Sequence, residues 1–187
     1  MDDCASIDEK VESGRLPGHL YLAKSEPGYS LKNPPMAKQN TEIRMHIPPL
    51  GMGTWGMGGR FEKDEGNLQQ SIDALRMGLQ LGFRLIDTAE RYGNGLTESI
   101  VGEAIKEFSR KDIFLITKVS REHLAYQDVH EAIEGSLKRL KTNYIDLYLV
   151  HKDNPAIPLA ETMRALEDLA DKGLTRFIGV RIFSDEV

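Results

Sequence analysis

Apolar runs that end in a polar side chain recur along this chain and alternate with amphipathic helical patterns. Four of these runs are predicted strands, at 84–88, 112–117, 144–150 and 176–180. Helical patterns, with apolar residues at spacings of three and four, precede the first of these strands and separate the others. Parallel strands joined by helices use right-handed crossovers, and one such unit takes about 30 residues. The repeat therefore predicts an α/β fold built on a parallel sheet.

The positions of the polar strand ends decide between two architectures that fit this repeat, an open doubly wound sheet and a (β/α)8 barrel. Successive strands carry polar groups at their C-terminal ends instead of meeting at one switch point, which favours the barrel. A complete barrel has eight strands and about 250 residues. Residues 41–187 contain only five predicted strands, so we expect a partial (β/α)8 TIM barrel with four helices. The alternation of Ile43, Met45 and Ile47 also predicts an N-terminal hairpin.

Residues 1–40 differ from the rest because proline and glycine interrupt a polar stretch without sustained periodicity. We interpret them as a poorly ordered leader, followed by a barrel domain at 41–187. The one cysteine, Cys4, can form neither an internal disulfide nor a thiolate metal cluster, and the N-terminus has no secretory signal. We therefore expect a cytoplasmic location and no metal site.

The composition argues against two classes of partner. Lysine and arginine are scattered and the formal net charge is −5, which argues against nucleic-acid binding. No apolar run approaches the roughly 20 residues that span a bilayer, which argues against a membrane protein. The remaining expectation is a globular domain that acts on a small molecule.

A glycine-rich stretch, Gly51 to Gly56, matches the spacing of the dinucleotide-binding fingerprint. That fingerprint ends a strand and opens a helix, whereas helical periodicity here begins only near Leu68. We interpret the stretch as a glycine-rich turn after the first strand. A Rossmann-like domain is the weaker alternative, and it predicts a helix from about Gly56.

Four polar residues at or just after strand ends could act together on a carbonyl group: Asp87, Tyr92, Lys118 and His151. Each has an ordinary structural explanation by itself, as a cap, a loop tyrosine, an ion-paired lysine or a hydrogen-bonded core histidine. Their joint position at one end of a barrel favours a shared site.

The chemistry of such a set is acid catalysis. A phenol with a pKa of about 10 is a poor acid at neutral pH, and a nearby ammonium favours its deprotonated form. A carboxylate beside the ammonium keeps it charged, and a neutral histidine can orient a carbonyl oxygen. The hydride for a reduction must come from a cofactor.

Five ordered motifs resemble those of the aldo-keto reductases: LGMGTW at 50–55, GFRLIDTAERYGNG at 82–95, ITKV at 116–119, LYLVH at 147–151 and FIGVRIFS at 177–184. The resemblance covers the chain from about residue 41 to its end. It implies a (β/α)8 barrel that reduces an aldehyde or ketone with NADPH.

The resemblance also implies roles for individual residues. Tyr92 would be the general acid, Lys118 the group that lowers its pKa, Asp87 the partner of Lys118, and His151 the residue that orients the substrate. The implied cofactor-binding residues are Gly53, Thr54, Asp87 and Arg181. Trp55 would contact the substrate beside His151, and Glu98 would be a structural cap.

Two departures from the family leave an alternative open. The family usually has Ser-Asn where this chain has Arg181-Ile182, and the C-terminal third of the family barrel has no counterpart in the sequence. The alternative is therefore a catalytically inactive remnant that acts at most as a binding or interaction module. An open five-stranded sheet would also leave two unpaired edges, through which we expect self-association.

Overall fold

One sheet flanked by helices organises the part of the chain that the computed structural model describes, residues 20–21 and 45–181. Its strands are β1 (Leu20–Tyr21), β2 (Gly51–Gly53), β3 (Leu85–Asp87), β4 (Phe114–Val119), β5 (Ile145–Val150) and β6 (Thr175–Arg181). The helices are α1 (Leu68–Gln80), α2 (Leu96–Ile105), α3 (Tyr126–Leu140) and α4 (Leu159–Asp171). In residues 45–181, no helix has the length and hydropathy needed to cross a bilayer.

The strands follow the spatial order β1-β6-β5-β4-β3-β2. Strands β2 to β6 are parallel, and each pairs with its neighbour in sequence. The five parallel strands and the four helices between them confirm the predicted α/β architecture. They place all five C-terminal strand ends along the same edge of the sheet.

Both faces of the central strands are buried. Leu115 and Val119 of β4 pack in the large core between the sheet and the helices. The alternate residues form a smaller cluster on the inner face, which consists of Phe114, Ile116, Leu147 and Leu149. A parallel strand that is covered on both sides is apolar along its whole length, which explains the uninterrupted apolar runs in the sequence.

The predicted N-terminal hairpin has no counterpart among the described residues. Residues 45–50 contain no strand, and Gly51–Gly53 pairs in parallel with β3. Pro48 and Pro49 have no backbone N–H, so this stretch cannot supply a continuous ladder of hydrogen bonds. Ile43 lies outside the described residues.

One edge of the sheet is also paired, contrary to the expectation of two open edges. Leu20 and Tyr21 of β1 lie antiparallel to Arg181 and Val180 of β6. These two residues are the part of the predicted leader that the structure describes, and the rest of it, with Cys4, lies outside the described residues.

The start of α3 differs from the sequence pattern, in which Asp128 and Glu131 suggest a capping box. The helix begins earlier, at Tyr126, and its N-cap residue Ala125 has no side-chain acceptor. Glu161 of α4 accepts a hydrogen bond from the Tyr126 N–H at 2.9 Å instead. A tertiary partner therefore satisfies a donor that a local cap would otherwise satisfy.

Candidate active site

The strand pleat brings polar side chains to the C-terminal edge of the inner face. Side chains two positions apart on a strand point to the same face. The inner-face positions occupied by Leu85, Ile116 and Leu149 are followed two residues later by polar residues. Those polar residues are Asp87, Lys118 and His151. Arg181 reaches the same edge from β6, four residues after the inner-face Phe177.

Lys118 and Asp87 form the predicted ion pair. The Lys118 ammonium donates to Asp87 Oδ1 at 2.7 Å and to the Thr88 carbonyl oxygen at 2.9 Å. The Lys118 side chain is only 3% exposed, whereas that of Asp87 is 36% exposed. Burial lowers the pKa of the Lys118 ammonium, and the Asp87 carboxylate opposes that change. The pair thus holds a positive charge in a site that would otherwise disfavour it.

Tyr92 begins a short 3₁₀ turn, Tyr92–Gly95, that packs against the glycine-rich loop. Gly93 has a φ of 54°, and a Cβ atom there would lie 2.3 Å from the Gly58 carbonyl oxygen. Its N–H donates to the Arg60 carbonyl oxygen at 2.8 Å. The close approach requires glycine at this position, and it holds the neighbouring Tyr92 in place with 7% of its surface exposed.

The stretch from Gly51 to Gly56 is a strand followed by a loop, because α1 begins only at Leu68. This confirms the glycine-rich turn and excludes the Rossmann-like alternative. Thr54 donates its hydroxyl to the Asp87 carbonyl oxygen at 2.9 Å, so the loop is tied to the end of β3. Trp55 then lies edge-on to Tyr92, with ring centroids 4.8 Å apart.

A cavity of about 570 Å³ opens at this end of the sheet. Tyr92, His151, Trp55 and Arg181 all line it, and the Tyr92 and His151 rings contact each other edge to face at 5.5 Å. The other lining residues come from the loops after the strands and were not identified from the sequence: Phe61, Arg91, Ser120, Arg121, Glu122 and Lys152. Loop residues carry no periodic signal, and only their position after predicted strand ends could have suggested them.

Lys118, Asp87, Gly53 and Thr54 lie outside this lining. The Lys118 ammonium is 5.2 Å from the centroid of the Tyr92 ring, so the ion pair lies beside a residue of the lining without being part of the lining. A Cβ atom on Gly53 would meet no atom within 4 Å, so the backbone there is open to a ligand. The structure therefore brings together the predicted residues in two layers, with the ion pair behind Tyr92.

The electrostatics of Tyr92 differ from the sequence expectation. Burial raises the pKa of the Tyr92 phenol, the Asp87 carboxylate raises it further, and Arg181 opposes them. Lys118, whose ammonium lies 5.2 Å from the ring centroid and pairs with Asp87, does not reverse this upward shift of the Tyr92 pKa. Tyr92 consequently keeps its proton at neutral pH.

His151 is neutral, as the proposed chemistry requires. Burial lowers its pKa to about 4, and the positive charges of Lys118, Arg181 and Arg91 act in the same direction. A neutral imidazole retains one N–H donor and one acceptor. It can therefore hydrogen-bond a carbonyl oxygen in the cavity.

Glu98 is a buried ion-pair partner and not the predicted cap. It lies in the first turn of α2 with 0% of its side chain exposed. Its carboxylate accepts hydrogen bonds from Thr117 Oγ1 at 2.6 Å and Arg139 Nε at 2.7 Å. Burial raises the pKa of the Glu98 carboxyl, and Arg139 opposes this. The Glu98 carboxylate thus links α2 to α3 and β4. No signal in the sequence indicated that Arg139 would be its partner.

The chain is similar to several known proteins. A sequence model described as the aldo/keto reductase family matches residues 49–187. The aldo-keto reductase YhdN of Bacillus subtilis is 43% identical over 148 residues, which cover 73% of this chain and 44% of the relative. The methylglyoxal reductase YeaE of Escherichia coli is 41% identical over 134 residues, covering 72% and 45%. The chain thus spans less than half the length of these two curated relatives.

Solved structures show the same likeness. A thermostable aldo-keto reductase in complex with the inhibitor epalrestat has a TM-score of 0.72 and 44% identity, covering 76% of this chain and 52% of its own. An aldo/keto reductase from Klebsiella pneumoniae in complex with NADP and acetate has a TM-score of 0.66 and 42% identity, covering 72% and 45%. These likenesses confirm that the sheet is part of a (β/α)8 barrel. The chain belongs to the aldo/keto reductase family.

Proposed function

We propose that this chain reduces an aldehyde or ketone to an alcohol with NADPH. The observation that carries the proposal is the Lys118–Asp87 ion pair at 2.7 Å behind a buried Tyr92 whose ring contacts His151 in one cavity. A protonated phenol, a neutral imidazole and a fixed positive charge are the groups needed to polarise and protonate a carbonyl oxygen.

Each residue has a distinct part in the proposed reaction. When bound, the nicotinamide cofactor supplies a hydride to the carbonyl carbon. Tyr92 donates its phenolic proton to the carbonyl oxygen, which becomes the hydroxyl of the alcohol product. His151 hydrogen-bonds the same oxygen and orients it. The Lys118 ammonium stabilises the negative charge that Tyr92 develops as it releases the proton, and Asp87 holds Lys118 in position.

The described residues fit the nicotinamide end of the cofactor. Gly53 leaves open space at the end of β2, and Thr54 and Asp87 fix the adjoining strand ends through their 2.9 Å hydrogen bond. Arg181 is a cation at the same edge. The Klebsiella relative that was solved with NADP supports the choice of cofactor, and we therefore assign cofactor contacts to Gly53, Thr54, Asp87 and Arg181.

An inactive binding module is the second candidate. It is favoured by the position of Arg181, which lines the cavity where the family usually has a serine. Self-association would then be expected through the edge strand β2, which pairs only with β3 in the described part of the sheet. For either function we propose a cytoplasmic location, which the single cysteine supports.

Cofactor binding and reduction should be measured separately. NADPH fluorescence in a titration reports binding, and loss of NADPH absorbance with a panel of aldehydes reports reduction. Tyr92→Phe should lower kcat by about 100-fold or more and change the NADPH affinity by less than about twofold. Tyr144→Phe is the matched control, because the Tyr144 hydroxyl bonds the Arg110 carbonyl oxygen at the opposite end of the sheet.

The outcomes separate the two candidates. Unchanged kcat in Tyr92→Phe would remove Tyr92 as the acid. Binding of NADPH without turnover of any aldehyde would favour the binding module. The absence of NADPH binding would contradict the proposed reductase.

A further inference from the structure

The loop after β3, which carries Tyr92, continues the ladder of hydrogen bonds along the end of β4. The Glu90 N–H donates to the Lys118 carbonyl oxygen at 3.3 Å. In a regular parallel ladder the Glu90 carbonyl oxygen would accept the next bond, from the Ser120 N–H. The Glu90 side-chain carboxylate accepts that bond instead, through Oε1. A side chain therefore takes the place of a backbone acceptor where the two loops leave the sheet.

This exchange of acceptor leaves the backbone free to turn towards the cavity. The Tyr92 N–H donates to the Ala89 carbonyl oxygen at 3.1 Å, which closes a turn around Glu90 and Arg91. Resting on the proposed function, we propose that Glu90 is a positioning residue for the reduction. Its carboxylate fixes the turn that carries the Tyr92 phenol against the strand end that carries the Lys118 ammonium.

Burial distinguishes this contact from the other contacts between the two loops. Glu90 is 8% exposed and Ser120 is 4% exposed. The Arg91–Glu122 ion pair, at 3.0 Å, and His123 Nδ1, at 3.0 Å from Glu90 Oε1, involve side chains that are about half exposed. Water screens exposed charges, so such contacts contribute little. A buried N–H without an acceptor is costly, so the Glu90 carboxylate is the contact that holds the loops together.

The contact lies close to the reacting groups along both segments of the chain. Glu90 is two residues before Tyr92, and Ser120 is two residues after Lys118. The Lys118 ammonium lies 5.2 Å from the centroid of the Tyr92 ring. A shift of either loop would change this distance, and a misplacement of about 1 Å can lower the rate of a positioned reaction by about 100-fold. Loss of the Glu90 contact should therefore lower kcat.

Two conservative variants of the full chain separate the position of the Glu90 oxygen from its charge. Glu90→Gln keeps an oxygen that can accept the Ser120 N–H, so kcat should stay within about fivefold of the wild type. Glu90→Asp keeps the charge but withdraws the oxygen by one methylene, so kcat should fall by about 30–100-fold. The NADPH affinity of both variants should change by less than about twofold, because the contact positions the acid and not the cofactor.

Glu161→Asp is the matched control for the shortened side chain. Glu161 also accepts a backbone N–H from a distant segment, that of Tyr126 at 2.9 Å. It lies outside the lining of the active-site cavity. The same shortening there should leave kcat unchanged.

Trp55 reports the position of Tyr92 without turnover. It is the chain's only tryptophan, and its ring centroid is 4.8 Å from that of Tyr92. Its near-UV circular dichroism band should change in Glu90→Asp and stay unchanged in Glu90→Gln and Glu161→Asp. Amide hydrogen exchange of the wild type decides the case if Glu90→Asp does not fold: the Ser120 N–H should exchange at least about tenfold more slowly than in the unfolded chain.

The outcomes separate this inference from the proposed function. A kcat for Glu90→Asp within about threefold of the wild type, or an equal fall in Glu90→Gln or in Glu161→Asp, would overturn the positioning role. An unchanged Trp55 band in Glu90→Asp, or exchange of the Ser120 N–H at its unfolded rate, would overturn it as well. A changed band in Glu90→Asp without turnover in the wild type would contradict only the reductase function.

Discussion

Replacing Asp87 with asparagine should expose the energetic cost of burying Lys118. The substitution keeps the size of the side chain but removes the negative charge beside the ammonium, which is 3% exposed and still donates to the Thr88 carbonyl oxygen. Breaking a fully buried ion pair costs about 3–5 kcal/mol, because one charge stays uncompensated. The Asp87 side chain is 36% exposed and water screens it, so we expect a loss near the lower limit, about 3 kcal/mol in the free energy of unfolding.

The loss should depend on pH in a defined direction. Burial already lowers the pKa of Lys118 below its ordinary 10.5, and the Asp87 carboxylate opposes this change. Without Asp87 the folded-state pKa falls further. Stability is then complete above the unfolded-state pKa of Lys118 and is lost as the pH falls through the folded-state value. The difference between Asp87→Asn and the wild type should therefore be largest at pH 7 and shrink towards pH 10.

Urea titrations followed by far-UV circular dichroism at pH 7, 8.5 and 10 measure this difference. Asp112→Asn, an exposed aspartate before β4, is the matched control and should cost less than about 0.5 kcal/mol at each pH. A loss below about 1 kcal/mol for Asp87→Asn at pH 7, or a loss that grows with pH, would refute the assignment of Lys118 as a buried cation.

Two other perturbations test the electrostatics of the site. The pKa of His151 is about 4 in the folded protein, below its ordinary 6.5, so stability should fall as the pH drops from about 6.5 towards 4. His151→Gln should flatten that slope in urea titrations, and an unchanged slope would contradict the shift. Arg139→Met should lower the free energy of unfolding by about 3–5 kcal/mol, because it leaves the buried Glu98 carboxylate without its positively charged partner. Adding Glu98→Gln should restore part of this loss. Equal losses in the single and double variants would contradict this coupling.

Periodicity predicted most of the architecture. The helical stripes such as Leu68, Ile72, Leu75 and Leu79 correspond to α1, and the apolar runs correspond to β3 to β6. These signals are strong because each buried stripe or strand needs many apolar residues at fixed spacing. The prediction of a hairpin near residue 45 was wrong because a short alternation carries little information. The prediction of a local cap for α3 was wrong because the acceptor for the Tyr126 N–H, Glu161, is 35 residues away in the chain.

The sequence by itself predicted that Asp87, Tyr92, Lys118 and His151 lie together, because the C-terminal ends of parallel strands converge on one edge whatever the loops do. Only the tertiary structure determined the direction of the Tyr92 pKa shift, since that depends on burial and on charges from β3 and β6 together. It also placed Arg91, Arg121, Lys152 and Arg181 around one cavity. These side chains are far apart in the chain and the loops that carry most of them have no periodic signal, so only the paired strands bring them together.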